Sequence, residues 1–544
     1  MSKNISRKNF IAGAAVTAGA LGLAACSSDD EEETTEEEET EEEEETEEEE
    51  ETSETGGTFV IGADTNSTTF SPTDDLSTSS GGLITLAVCE PLWSVNSDGS
   101  FNMLLATGYE WNDDGTELTI TLREGVTFSN GNDFTSEDVL WTLQNAAEGN
   151  RSMNMMANVD LDGITCPDDY TIVITMTQYD AAFTSYLGTS NFVMLDSEVC
   201  GADDWEWQWM IGTGPYQLQG DGETDTSGWS EGEQYTLIRN ENYWGDAAYY
   251  DEIIIKFYEE ESTRYTAFQT GELDAIYLTE ASYVDEIVNG NVDGAVACQI
   301  ISQGVTGIQF AYTENSVGTF SDINLRAAVA HGIDIEAIVE SVGEGLYTVA
   351  DSVIDSTNWA YKEEGVYEYD TELAAEYLAE AGYSVDNPIT IYMTAESTAM
   401  NEGITTAMQG YLMEIGINID MSNVGDFNNV VLPIMLSGEQ ELSIGSIGSG
   451  ADPANQLEQM LPTADNILTA VTDEELSDLI TSASTSMDED ERLEMYYEIQ
   501  DILHDNYYWI PLYTATTNYA YNEAHSSFED CVVGVSVYLG NLSD

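Results

Sequence analysis

Residues 104–143 read LLATGYEWNDDGTELTITLREGVTFSNGNDFTSEDVLWTL, and local rules assign most of them. Leu118, Ile120 and Leu122 alternate with Thr119 and Thr121, the period of a strand with one buried face. Glu124-Gly125 ends that strand. Val126, Thr127 and Phe128 predict a second short strand, and Asn130-Gly131 supplies residues that tolerate positive φ in a tight turn. Thr135, followed three residues later by Asp138 and then by Val139, Leu140, Trp141 and Leu143, predicts a helix opened by a capping box.

The same strand and helix patterns recur to the C-terminus. Ile172 to Met176 alternates as a strand. Asp370 to Gly382 reads as an amphipathic helix capped by Asp370 and ended by Gly382, with Ala374, Ala375, Leu378 and Ala379 on one face. Ile389 to Met393, Met408 to Ile415 and Gly416 to Ile419 predict a β-α-β unit, so this part of the chain is mixed α/β. Asp488 with Glu491 caps a further helix carrying Leu493, Tyr496 and Tyr497.

Composition bounds the answer. The 544 residues can hold two or three domains, and 42% hydrophobic with 10% aromatic residues indicates a folded body. The formal net charge is −93. Residues 29–54 carry twenty of the 104 acidic side chains and no basic one; the other 84 face only eight Lys or Arg beyond residue 54. Such a surface repels nucleic acid, whose binding requires Lys and Arg against phosphates, so that partner is excluded. Acidity of this degree speaks to solubility and association, or to capture of cationic solutes, and not to fold.

The N-terminus is a targeting segment. Lys3, Arg7 and Lys8 precede an apolar, Ala/Gly-rich run from Ile11 to Leu23 that is too short to span a bilayer comfortably. Leu23-Ala24-Ala25-Cys26 resembles a lipobox, which makes residues 1–26 a lipoprotein signal segment and implies cleavage before Cys26, whose lipidated side chain, at the mature N-terminus, holds the chain to the membrane. Ser6-Arg7-Lys8-Asn9-Phe10-Ile11 resembles a twin-arginine export motif with Lys in the second place, leaving Sec and Tat export both open. Residues 27–56, mostly Glu and Thr, form an acidic disordered tether, because like charges repel and there is no core to bury.

Beyond the pattern, particular residues carry a resemblance. Ala106-Thr107, Leu122-Arg123-x-Gly125-Val126-x-Phe128, Asn130-Gly131 and Ser136-Glu137-Asp138-Val139 resemble, in order, the signature of family 5 extracellular solute-binding proteins. These are the oligopeptide-, dipeptide- and nickel-binding components of ABC importers. Phe70-Ser71-Pro72 and Glu90-Pro91-Leu92 before it, and Gly212-Thr213-Gly214-Pro215-Tyr216, Arg239-Asn240-x-x-Tyr243-Trp244 and Gly271-Glu272-x-Asp274 after it, are similar to further elements of that family. So are the helix around Asn324 to Asp334 and the strand Trp509 to Tyr513.

The resemblance implies an α/β, two-lobed type II periplasmic-binding-protein-like fold with an additional subdomain inserted in the first lobe. It places the first lobe at residues 57–74, 200–305 and 511–544, the insert at 75–199 and the second lobe at 306–510. It implies a monomeric receptor on the outer face of the cytoplasmic membrane, without cofactor. That receptor captures a peptide or other small polar solute and delivers it to an ABC permease and its ATPase. A solute sensor of the same fold, signalling through a membrane partner, is the alternative that the chain leaves open.

The resemblance also implies a site. Asn66 follows the first strand toward the cleft, and Phe310 and Tyr312 open the second lobe in a short strand. The Gly-rich stretch with Ser446, Ile447, Gly448, Ser449 and Asp452 corresponds to a family loop at the junction of lobe and cleft. In peptide-binding relatives the position four residues before the Pro of that loop is an Asp that pairs with the ligand α-ammonium. Here it is Ser449, and a hydroxyl does not replace a desolvated carboxylate at equal affinity. The solute is then of another polar kind, or its ammonium meets a carboxylate elsewhere. Arg151, beside Met153, Met155 and Met156, is a candidate ligand-facing cation.

Trp205, Trp207 and Trp209 sit at alternate positions and read as core before cleft. His331, His504 and His525 lack metal-ligand spacing, and no zinc, nucleophile-elbow or phosphate-loop motif occurs, so no enzyme is expected. Cys89, Cys166, Cys200, Cys298 and Cys531 are odd in number, which leaves at least one unpaired within the chain.

Overall fold

Phe59, Ile61 and Ala63 are fully buried along the strand Thr58–Ala63, which pairs in parallel with Glu252–Phe257, where Ile253 and Ile255 are equally buried. This strand pair seeds a sheet that runs through both lobes of the molecule. The computed structural model describes residues 56–64, 71, 79–149, 152–202, 209–222, 224–230, 232–311, 319–437, 440–447, 450–462 and 471–543. The chain divides into residues 1–54 and 55–544; the first unit, with Cys26 and nearly all of the acidic segment, lies outside the described residues. Among the described residues no helix is long and apolar enough to cross a membrane.

The main sheet has the order Ile417–Gly425, Ile389–Glu396, Leu442–Ile447, Ala295–Phe310, Trp509–Asn522, Ala275–Leu278, Thr58–Ala63, Glu252–Phe257, Gln234–Arg239 and Tyr216–Leu218. The two long strands, Ala295–Phe310 and Trp509–Asn522, are antiparallel neighbours at its centre. On one side Phe59, Tyr235, Ile253, Tyr519 and Phe528 share a core, and on the other Ile308, Met393, Leu412, Ile417 and Ile510 share a second. Each fully buried large apolar side chain contributes roughly 1.5–3 kcal/mol to the core it belongs to. The two long strands belong to both.

The β-α-β unit is present, with Ile389 opposite Ile417 in a parallel pair. Its helix runs Ala399–Ile415, beginning earlier than the periodicity predicts. Gly403 dilutes the helical signal of the first turns, while Thr398 caps them by accepting from the Asn401 amide. Gly416, at φ 106°, closes the helix in the left-handed region. Asp370 caps Thr371–Glu380 through the amides of Glu372 and Leu373, as its sequence predicts.

Residues 104–143 belong to a separate four-stranded sheet, Ala106–Trp111, Glu117–Leu122, Thr171–Thr175 and Thr165–Asp168, covered by the helix Ser136–Glu148. Leu118, Ile120, Leu122, Val139 and Leu143 form its core. The capping box is reciprocal: the Thr135 side chain accepts from the helix, and the Thr135 amide donates to Asp138 Oδ2 at 2.8 Å. Val126 to Phe128 is not a strand. It is one arm of a turn closed by the single bridge Thr127 to Asp133, because the chain reverses at Asn130-Gly131 before a ladder can propagate.

Two further expectations change. Phe310 does not open a short strand; it ends the sixteen-residue strand Ala295–Phe310. The register shift between Ile301 and Val305 interrupts the alternation and hides that continuity from the sequence. Gly445, Ser446 and Ile447 lie in the strand Leu442–Ile447 and not in a loop. Gly445 is needed there because a Cβ would meet the buried Gln309 amide at 2.7 Å.

Candidate functional site

Where the small sheet, the second lobe and the C-terminal segment meet, they enclose a cavity of about 250 Å³. The small-sheet region contributes Tyr186, Ser190 and Asn191, the long central strand Ala295–Phe310 Gln303, the start of the helix Pro453–Leu457 Asp452 and Asn455, and the C-terminal segment Ser536 and Tyr538. A second space of about 310 Å³ shares Ser190, Val535 and Ser536 with the first and extends past Tyr277, Thr517 and Tyr519 of the first lobe. The two together touch every part of the folded body. Amides, hydroxyls and tyrosine rings dominate the walls, the composition of a site that holds a small polar molecule by hydrogen bonds and ring contacts.

Each polar group is positioned by its backbone. Asp452 caps the helix Pro453–Leu457 by accepting from the Ala454 amide at 3.0 Å. Both its carboxylate oxygens take Arg492 Nη2 at 2.6 Å, and Arg492 also donates to the Ala483 carbonyl and Tyr496 hydroxyl. This buried pair is satisfied on both sides, so Asp452 presents no uncompensated charge to the cavity. Gln303 stands in the register break of the long strand, and its carbonyl accepts from Gln456 Nε2 at 2.6 Å. Tyr186 donates to Asn455 Oδ1 at 3.2 Å, and the Ala181 amide donates to the Ser484 carbonyl at 2.9 Å; both bonds join the small-sheet region to the second lobe.

Two more carboxyls stand behind that boundary. Burial pushes Glu458 up to about 7, and the like charges of Asp180 and Asp452 add to it. Burial likewise raises Asp180, against hydrogen bonds from Asn158 and the Ala182 amide. On the first-lobe side, burial raises the Tyr277 hydroxyl, and the nearby Asp64 carboxylate raises it further.

The candidates drawn from the sequence separate into three groups. Asp452 lines the cavity. Phe310 and Ile447 are core residues in this conformation, 1% and 0% exposed, and Ser446 is exposed on its strand with Oγ 3.5 Å from the Val305 carbonyl. Asn66, Tyr312, Gly448, Ser449, Arg151, Trp205 and Trp207 lie outside the described residues, whereas Trp209 is buried in the first core. Sequence reasoning passed over Tyr186, Gln303, Asn455, Ser536 and Tyr538, which carry no motif. The five body cysteines are all unpaired. Among the described residues no cluster of His, Cys, Asp and Glu is placed to hold a metal ion.

Comparison with known proteins gives this geometry a context. The sequence profile of bacterial extracellular solute-binding proteins, family 5 Middle, matches residues 100–467. The chain is 26% identical over 444 residues to heme-binding protein A of Haemophilus influenzae, covering 75% of this chain and 78% of that protein. It is 25% identical over 469 residues to the glutathione-binding protein GsiB of Salmonella paratyphi A, covering 83% and 88%. The crystal structure of the ABC transporter substrate-binding protein CtaP of Listeria monocytogenes superposes with a TM-score of 0.76 at 19% identity, covering 90% of this chain and 100% of that one. By its profile match and its fold, the chain belongs to the family 5 bacterial extracellular solute-binding proteins.

Proposed function

We propose that this protein is a membrane-anchored receptor that captures a peptide or other small polar solute between its lobes and delivers it to an ABC permease. The observation that carries the reading is the cavity itself, whose walls come from the first lobe, the second lobe and the region between them. A solute seated there contacts surfaces that separate when the lobes part, so it favours the closed arrangement by contacts available only in it. The anchor is Cys26, read from its lipobox-like setting, and the acidic segment 27–56 holds the body away from the bilayer.

The partition 57–74, 200–305 and 511–544 for the first lobe, 75–199 for the insert and 306–510 for the second lobe fits the sheet order, with the boundary falling within the long central strands. The proposed contacts are Tyr186, Gln303, Asp452, Asn455, Ser536 and Tyr538. Asn66, Tyr312, Gly448 and Ser449 stay in the proposal on sequence grounds. The test is mass spectrometry of solute that copurifies with the protein, followed by thermal unfolding with that compound added back. A copurified solute that raises the melting temperature supports the receptor; a protein that carries nothing and responds to no candidate solute does not.

A further inference from the structure

The body of this protein has eight basic side chains against 84 acidic ones, and the structure shows how seven of the eight are used. Arg123 donates to the Leu104 carbonyl at 2.8 Å and lies 4.2 Å over the Trp244 ring. Arg239 pairs with Asp251 and Lys256 with Glu272, each at 3.0 Å. Arg264 donates to the carbonyls of Tyr277 and Tyr258, and Arg326 to those of Asn506 and Phe320. Lys362 pairs with Glu364 and Asp501. Arg492 is held by Asp452, Ala483 and Tyr496.

Both cavities are lined by neutral polar, aromatic and apolar side chains together with Asp452, and neither is lined by Lys or Arg among the described residues. Behind the walls, Asp64 stands beside Tyr277 and Tyr519, with Arg264 also against Tyr277, and Asp180 and Glu458 stand behind the Asp452–Arg492 pair; both cations are engaged by the fold and neither lines the space. An anion entering this space would shed its hydration and find hydroxyl and amide donors but no cation among the described residues of the wall to pair with. A cation or a neutral solute meets amide, hydroxyl and carbonyl acceptors already in place, on a body whose net charge is strongly negative.

We infer that the solute of this cavity is neutral or cationic, and not an anion. The inference rests on the reading of the cavity as the solute site. It follows from seven basic side chains engaged in holding the fold, and from a wall of amides, hydroxyls and tyrosines backed by carboxylates. The eighth basic residue, Arg151, lies four positions before Met155, which lines the cavity, and is the residue through which the inference can fail.

One scaffold in four charge states tests it: tri-alanine amide, N-acetyl-tri-alanine amide, zwitterionic tri-alanine and N-acetyl-tri-alanine, titrated calorimetrically into the mature protein. The amide or the doubly blocked form is expected to bind, and the anionic N-acetyl form to bind about tenfold more weakly or worse. N-acetyl-tri-alanine binding as tightly as the amide overturns the inference, and loss of that binding in Arg151→Ala would name the cation responsible. The charge of any copurified solute, read from its exact mass and composition, is the second measurement. A neutral or cationic copurified solute with no response to the four probes sinks the peptide reading and leaves this inference standing. A copurified anion overturns it. No copurified solute and no response to any probe overturns the receptor reading, and the inference falls with it.

Discussion

Trp244 Nε1 donates to Glu90 Oε2 at 2.7 Å across a separation of 154 residues. Thr213 Oγ1 donates to the same oxygen at 2.9 Å, and the Tyr243 hydroxyl to Oε1 at 3.1 Å. Arg123 covers the outer face of this group by stacking on Trp244. Residues from four separate signature motifs of the family therefore meet on one buried carboxylate. Their shared task is to fix the first lobe against the inserted sheet, away from the solute cavity.

Glu90→Ala leaves the buried Thr213 hydroxyl and the half-buried Tyr243 and Trp244 donors without an acceptor and is expected to destabilise the protein by about 3 kcal/mol, measured by urea unfolding. Glu90→Gln keeps an acceptor for Thr213 and Trp244 and can donate to the Tyr243 oxygen, so its cost is about 1 kcal/mol. Burial pushes Glu90 up to about 7 in spite of its donors. A raised carboxyl binds its proton more tightly folded than unfolded, so its contribution is fully present below about pH 4.5 and is lost as pH rises toward 7. Glu458 acts in the same direction. Unfolding free energy should fall between pH 5 and pH 7.5, and the double variant Glu90→Gln, Glu458→Gln should flatten that slope; an unchanged slope contradicts the assignment.

Asp452→Ala strands Arg492 in a site where both partners are under a tenth exposed and removes a helix cap as well. The expected loss is about 3–5 kcal/mol. Adding Arg492→Leu should recover part of that loss, since the orphaned charge goes with it. Thermal unfolding of the two single variants and the double variant measures the coupling.

Tyr186→Phe deletes one hydroxyl and its bond to Asn455, a contact between the inserted region and the second lobe. Solute affinity is expected to weaken about fivefold, the equivalent of ~1 kcal/mol, with little change in urea midpoint for the empty protein. Calorimetry on the copurified solute decides it. An unchanged dissociation constant would remove this contact from the solute-bound state.

Gly307 and Gly410 make a contrasting pair. A Cβ at Gly307 would lie 2.3 Å from Trp509 Nε1 and 2.6 Å from the Ile510 carbonyl, so Gly307→Ala should cost about 1–3 kcal/mol by forcing the long strands apart. A Cβ at Gly410 meets nothing within 4 Å in the helix Ala399–Ile415, and Gly410→Ala should stabilise by about 0.5–1 kcal/mol. Melting temperatures of the two variants should move in opposite directions.

What the chain disclosed in advance was what local physics controls. Thr135 and Asp138, Asp370, and the alternation of Leu118, Ile120 and Leu122 all name their own conformations, because a cap or a buried face needs only its immediate neighbours. Signature motifs identified the fold for a related reason: Glu90, Thr213, Tyr243 and Trp244 must all be present for the buried carboxylate to be satisfied. The cavity was less legible. Tyr186, Asn455 and Ser536 are ordinary polar residues whose meaning arises only when segments far apart in sequence converge. Asp452 was legible only through the resemblance of its stretch to a family loop; its capping of the helix Pro453–Leu457 and its bond to Arg492 were not.

The paired strands Ala295–Phe310 and Trp509–Asn522 restrict how the molecule can move. Hydrogen bonds clamp them on both sides of the break at Ser302 to Gly304, so the lobes share a ribbon and not a tether. A ribbon resists stretch and shear more than it resists bending and twisting. Gln303 sits at the yielding point and also forms part of the cavity wall. The cavity wall and the interruption between Ile301 and Val305 in the ladder of the paired strands therefore share a residue.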